Sequence, residues 1–117
     1  KIDEKGNVLF EKTYGGNYIS SAEDACYMSD KRYFYLVVNS NEAGDERINI
    51  LKLNNNGRIL SKKTYGDSKL EKAFSCLFDT FDSSLVISGT KIISSSNGLD
   101  GLIIKLNNKG EIIWEYM

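Results

Sequence analysis

Histidine is absent from this 117-residue chain. That one absence removes imidazole bases, Ser-His-Asp and Cys-His arrangements, and the commonest metal ligand. Proline is absent as well, and no apolar run reaches the length that crosses a bilayer. The cysteines are two, Cys26 and Cys76, without zinc spacing. There is no Gly-x-x-x-x-Gly-Lys phosphate loop, and Gly15-Gly16 follows a strand with no helix to open. Charge of neither sign dominates: 15 basic and 16 acidic residues leave a net charge of −1, so no electrostatic footprint argues for nucleic acid or an anionic membrane surface. The expectation is a chain with no catalytic residue, no metal and no cofactor of its own.

What is present is repetition. Lys52-Leu53-Asn54-Asn55-Asn56-Gly57, continuing to Lys63-Thr64-Tyr65-Gly66, answers Lys1-Ile2-Asp3-Glu4-Lys5-Gly6, continuing to Lys12-Thr13-Tyr14-Gly15. Lys105-Leu106-Asn107-Asn108-Lys109-Gly110 opens it a third time. The turn glycines at 6, 57 and 110 set spacings of 51 and 53 residues, a period of repeat architectures. Cys26 and Cys76 are separated by 50 residues, nearly the same distance. Equivalent positions in successive units usually lie too far apart to bridge, since a disulfide needs Cα atoms within roughly 7 Å. Both are therefore expected to be buried small hydrophobes, which leaves the redox compartment undecided.

Between the turns the pattern is that of strands. Residues 7–14 alternate, with Val8, Phe10 and Tyr14 on one face and Glu11 and Thr13 on the other. A polar connection is expected over 17–24, then a short strand apolar on both faces at 25–28, a second at 33–38, a polar loop at 39–46, and strands at 48–53 and 58–65. Asx-Gly tetrads such as Asn54-Asn55-Asn56-Gly57 suit tight hairpins, and a calcium loop is disfavoured because the bidentate acid is missing. The order repeats at 74–78, 84–88 and 102–106, with an additional piece of strand at 91–93. No sustained helical spacing occurs. Seven Tyr and five Phe among many Ile, Leu and Val suit half-buried strands.

A four-stranded meander whose inner strands are apolar on both faces must be sandwiched between neighbours, and radial packing of blades does this while keeping edges short. The fold class expected is all-β, a β-propeller segment over 1–117 built of four-stranded antiparallel meanders: 1–16 the last strands of one blade, 17–66 a second unit, 67–117 a third. A β-solenoid is the rival. The Lys-Leu-Asn-x-x-Gly turn, the apolar pair with an aromatic, and Lys-Thr-Tyr-Gly-Gly resemble propeller repeats of about fifty residues found in bacterial and archaeal surface or secreted proteins. The second unit matches that pattern at Thr80, Asp82, Gly89, Asp100, Lys105, Leu106 and Gly110; in the first, Asp30, Arg32 and Asn39 stand where Thr, Asp and Gly are expected. A fainter resemblance, Gly110 with Trp114, is to quinoprotein propeller repeats.

The surface-protein resemblance implies an extracellular or cell-surface setting. Two units do not close a ring of roughly four to eight blades. The start at Lys1, inside a unit, suggests an excised or truncated piece, with ring completion by copies, as in short trimerising two-blade lectins, the other route. In a meander the second-to-third loop and the unit-to-unit connection emerge on one face, which gathers 41–46, 94–100 and 17–24. Tyr18, Glu42, Asp45 and Asp100 are the ligand-binding candidates there. The expectation is a non-catalytic module that binds a protein or glycan, with no nucleic-acid partner and no membrane span. The alternative is a fragment of a quinoprotein-like or glycan-active enzyme whose catalytic residues lie outside this chain.

Overall fold

A computed structural model describes residues 1–15, 19–28, 32–66, 70–92 and 98–117. Eight strands follow one another without a helix among the described residues: β1 Ile19–Tyr27, β2 Tyr33–Glu42, β3 Asp45–Asn54, β4 Ile59–Tyr65, β5 Glu71–Asp79, β6 Ser84–Ile92, β7 Leu99–Leu106 and β8 Ile112–Tyr116. They form two separate four-stranded sheets, β1-β2-β3-β4 and β5-β6-β7-β8, each an antiparallel meander. The all-β architecture of two meanders is as the sequence pattern implies. No helix among the described residues is long and apolar enough to cross a membrane.

The repeated turn explains why the motif is written three times. Asp3, Asn54 and Asn107 each place a side-chain oxygen to accept two backbone N–H groups, two and four residues on: Lys5 and Asn7 at 2.9 and 2.8 Å, Asn56 and Arg58 at 3.0 Å each, Lys109 and Glu111 at 2.9 Å each. The glycine three residues after each Asx has φ of +84°, +79° and +79°, a left-handed conformation that other L-residues adopt at a cost. So the Asx supplies the acceptor and the Gly the backbone freedom, and the hairpin register shifts by one residue after the turn at Lys52/Leu53 and again at Lys105/Leu106.

Register also measures the repeat. A bulge between Ala22 and Asp24 in β1 matches one between Ala73 and Ser75 in β5, and the pairs Phe34–Leu53 and Leu85–Leu106 correspond. The first two strands of the units are thus 51 residues apart, the third strands 53, and the two extra residues fall in the β6–β7 hairpin. Gly89 therefore corresponds to Val38, not to Asn39 as the spacing implied. It pairs with Ala73 at the bulge, and a Cβ there would sit 1.9 Å from the Lys72 carbonyl oxygen.

Three strand expectations are corrected. Residues 7–14 do not form a strand; one isolated bridge, Ile2 to Val8, pairs the segment with itself. The connection placed at 17–24 is strand from Ile19 onward, and the loop at 39–46 is two strands joined through Ala43 and Gly44 alone. The physical reason is that polar residues there are satisfied inside the sheets. Asn49 Nδ2 donates to Ser40 Oγ at 2.7 Å, both buried, and the exposed Thr64 Oγ1 donates to Asn49 Oδ1 at 2.8 Å, a polar row across β2, β3 and β4.

The sheets lie face to face over one apolar core. Tyr35, Val37, Ile48 and Ile50 from the first meet Ala73, Phe78, Leu85, Ile87, Leu102, Ile104 and Leu106 from the second, with the Tyr35 and Phe78 rings stacked 6.4 Å apart. Each fully buried aliphatic side chain contributes about 1.5–3 kcal/mol, so this layer outweighs any single polar contact in it. β5 is the strand of the second sheet that approaches the first, at β1, β2 and β3, with Cα atoms within 8 Å; β4, β6, β7 and β8 make no such approach across the interface.

Two polar clamps fix their relative position. The Asn39 amide pairs with the Ala73 backbone as a strand would, donating to the Ala73 carbonyl at 2.8 Å and accepting its N–H at 2.9 Å. Asp24 Oδ2 accepts the Cys76 N–H at 2.8 Å and the Ser75 hydroxyl at 3.0 Å. Replacing Asn39 with Ala leaves two buried backbone groups of Ala73 unpaired, and a loss of about 2–4 kcal/mol in urea unfolding is expected. The hydrogen bond from the Cys76 amide, foremost, holds the Asp24 carboxyl below its ordinary 3.8. Its stabilisation is then complete above that value and is lost as pH falls through the lower folded value. Acid unfolding of Asp24→Asn should lack that component; an unchanged acid profile would show that the clamp carries none of it.

Candidate functional site

A groove of about 770 Å³ lies between residues 1–14 and the face of the first sheet that points away from the second. Its walls are Ile2, Val8, Phe10 and Tyr14 on one side and Tyr27, Phe34, Leu36, Val38 and Leu53 on the other. Val38, Leu51 and Leu53 form a second small core there, with Tyr14, Phe34 and Leu36 packed on it. By register, Phe34, Leu36, Leu51 and Leu53 are the counterparts of Leu85, Ile87, Ile104 and Leu106, the residues by which the second sheet receives the first. Each sheet therefore turns the same face toward what precedes it in the chain.

One hydrogen bond repeats along with the face. Tyr14 Oη donates to the Gly57 carbonyl at 2.5 Å, and Tyr65 Oη donates to the Gly110 carbonyl at 2.6 Å. Each tyrosine follows its own turn glycine by eight residues and reaches the turn glycine of the next unit. A side chain at Gly57 would strike the Phe10 ring at 2.6 Å and Tyr14 Oη at 2.8 Å; at Gly110 it would strike the Lys63 stem at 2.9 Å and Tyr65 Oη at 3.1 Å. The glycines thus serve twice, once for φ and once for close approach. Burial raises the Tyr14 phenol above its ordinary value and pushes that of Tyr65 to about 12, with a smaller contribution from Tyr35.

A charged rim lies where the β2–β3 hairpin meets the connection into β5. Arg47 donates to the Gly66 carbonyl at 2.9 Å, Lys72 pairs with Glu46 at 3.2 Å, and the buried Glu71 pairs with Lys91 at 2.5 Å, which reaches Glu115 at 3.5 Å. The hairpin and the inter-unit connection share this end of the molecule. Glu42 and Asp45 face each other in register at the hairpin, with Glu42 lining a shallow pocket beside Ser40 and Asn49. Asp45 lies 3.8 Å from Arg47. Asp100 is exposed on the other sheet, the register partner of Lys91. Tyr18 falls outside the described residues. The hairpin at 43–44 is tight, so the rim around Glu42 and Asp45 is strand end rather than loop; most of the counterpart loop, 93–97, falls outside the described residues.

At the opposite end Lys105 bridges Asp82 at 2.7 Å and Asp79 at 3.2 Å on the outward face of the second sheet. In the first unit the counterpart, Lys52, instead lies 4.8 Å over the Tyr33 ring. Trp114 packs against Tyr116, ring centroids 5.3 Å apart, on the last strand. Among the described residues no group of three His, Cys, Asp or Glu side chains is placed to hold a metal ion.

The cysteines depart most from the sequence reading. Cys76 aligns with Ala25, not Cys26, because the strands repeat at 51 residues and the cysteines at 50. A one-residue offset turns a strand side chain to the other face. Cys26 accordingly faces the second sheet and Cys76 the first, and both lie in the core between the sheets. The spacing was visible in the sequence; the bulges that reset the register were not.

No family model matches this chain, and a search of curated proteins returned no match. Tyr65→Phe should cost about 1 kcal/mol, and Tyr14→Phe a similar amount. Because the folded Tyr65 phenol titrates near 12 against an ordinary 10.0, its share of stability is whole below pH 10 and disappears as pH rises through about 12. Alkaline unfolding followed by tyrosinate absorbance should be flatter over that window in Tyr65→Phe than in the unsubstituted protein.

Proposed function

We propose that the two sheets are successive blades of a β-propeller, and that the propeller is a non-catalytic interaction module binding a protein or glycan ligand at the charged rim. The observation that carries the first part is the identical way each unit docks on the next. The same face, the same turn glycine and the same tyrosine hydroxyl recur, one unit on. The close approach of β5 alone to β1, β2 and β3 supports packing of the sheets along one narrow edge, as radial packing of blades requires. The outward face of the second sheet keeps Leu77, Ile103 and Tyr116 exposed, as a face awaiting a further blade would. The ring needs additional blades, from more chain or from copies.

Support for the second part is the gathering of the β2–β3 hairpin, the inter-unit connection and Asp100 at one end, on a rigid scaffold. The surface-protein resemblance of the repeats suggests a secreted or cell-surface setting. Glycan and peptide arrays probed with the assembled protein test the reading. The triple variant Glu42→Ala, Asp45→Ala, Asp100→Ala is expected to weaken the captured ligand roughly tenfold or more with an unchanged circular dichroism spectrum. Blank arrays, or capture indifferent to the three substitutions, would count against the rim. Negative-stain images showing open rods rather than rings would count against the propeller.

A further inference from the structure

The contact between the two sheets holds chemistry that blade packing does not use. Cys26 on β1 and Cys76 on β5 are both free thiols, and both sit in the core that the two sheets share. Cys76 belongs to the shared core and Cys26 packs against it. The strands that carry them are held together beside the pair. Asp24 lies on the same face of β1 as Cys26, two residues back, and accepts the Cys76 amide proton at 2.8 Å. β1 and β5 bring Cα atoms within 8 Å of each other. A disulfide needs Cα atoms within roughly 7 Å and side chains that converge. A tie at the Cys76 amide from the residue two before Cys26, with both side chains in one core, sets the two thiols toward one another.

We propose that Cys26 and Cys76 are a redox pair that closes into an intersheet disulfide by exchange with a small-molecule disulfide such as oxidised glutathione. The two sulfurs have different roles. Cys26 is half-buried and reachable, whereas Cys76 is buried. Interaction with Cys76 holds the Cys26 thiol below its ordinary pKa, while Cys76 itself is held far above its own, first by its interaction with Cys26 and then by burial. Cys26 is the attacking thiolate. It forms a bond to one glutathione sulfur and releases the other as a thiolate. Cys76 then loses its proton to solvent and attacks the Cys26 sulfur, expelling the second glutathione thiolate. Two protein thiols are oxidised, one disulfide is reduced, and the two protons lost by the protein balance the two taken up by the leaving groups. In a reducing compartment the sheets are joined by packing and the clamps alone; in an oxidising one they are also joined covalently.

The test is titration of the intact protein through glutathione buffers of rising oxidised fraction, quenched with iodoacetamide and read by mass spectrometry. Both thiols should be lost together in monomeric protein, with a mass lower by two hydrogens and a proteolytic fragment joining the peptides of Cys26 and Cys76. The melting temperature should rise on the order of 10 °C. Cys76→Ser should stop at the first step and retain one glutathione on Cys26, while Cys26→Ser should keep its buried thiol free. Two thiols that stay free in fully oxidised buffer would overturn the proposal. So would glutathione persisting on the unsubstituted protein, or disulfide-linked dimers. The readout on the unsubstituted protein stands even where a serine variant fails to fold, and it does not depend on the propeller reading.

Discussion

A tyrosine hydroxyl reaching the carbonyl of the next unit's turn glycine is the contact on which this molecule's architecture turns. It is available only because three local choices agree. An Asx side chain builds the turn, a glycine takes its left-handed position, and the missing Cβ lets a ring from the neighbouring unit lie against the backbone. Remove any one and the other two lose their purpose. The apolar layer supplies far more of the stabilisation, but its contacts are not directional. The tyrosine bond, the Asn39 amide and the Asp24 carboxylate are directional. They select one of the many ways two apolar sheets can be laid together.

The directional contacts are spread along the interface. Where β5 lies against β1, β2 and β3, the joins are amide to backbone and carboxylate to backbone, beside the stacked Tyr35 and Phe78 rings. On the fourth strand of the first sheet, Tyr65 and the stem of Lys63 reach the turn at Gly110.

Much of this was legible in the sequence, and the parts that were not share a cause. The Lys-x-Asx-x-x-Gly turns and the doubly apolar strands announced themselves because a turn is a local event and a buried strand has only apolar residues to show. Strand β1 was half missed, and the hairpin at 43–44 was read as loop, because Ser21, Glu23, Asn39, Ser40 and Asn41 look like connection residues. Asn39, Ser40 and Asn49 are instead buried polar groups whose partners lie on other strands or in the other sheet. Such partners are invisible to any reading of local pattern. The cysteine pair was hidden by the bulges at Ala22/Asp24 and Ala73/Ser75, which change what a given spacing means. Among the candidate site residues, the hairpin carboxylates of Glu42 and Asp45 and the exposed Asp100 fall at one end, as the meander logic required, but on strand ends rather than on a broad loop.

The tyrosine bond points one way. In both places where it occurs the hydroxyl belongs to the earlier unit and the carbonyl to the later one, so the link has a head and a tail. A pair of identical surfaces related by a two-fold axis cannot make it, because each would offer the same half of the bond. Any further interface that reused this contact would be heterologous, one surface forward and a different one behind. A series of units joined in this way would either close, its last hydroxyl returning to its first carbonyl, or run on without an end.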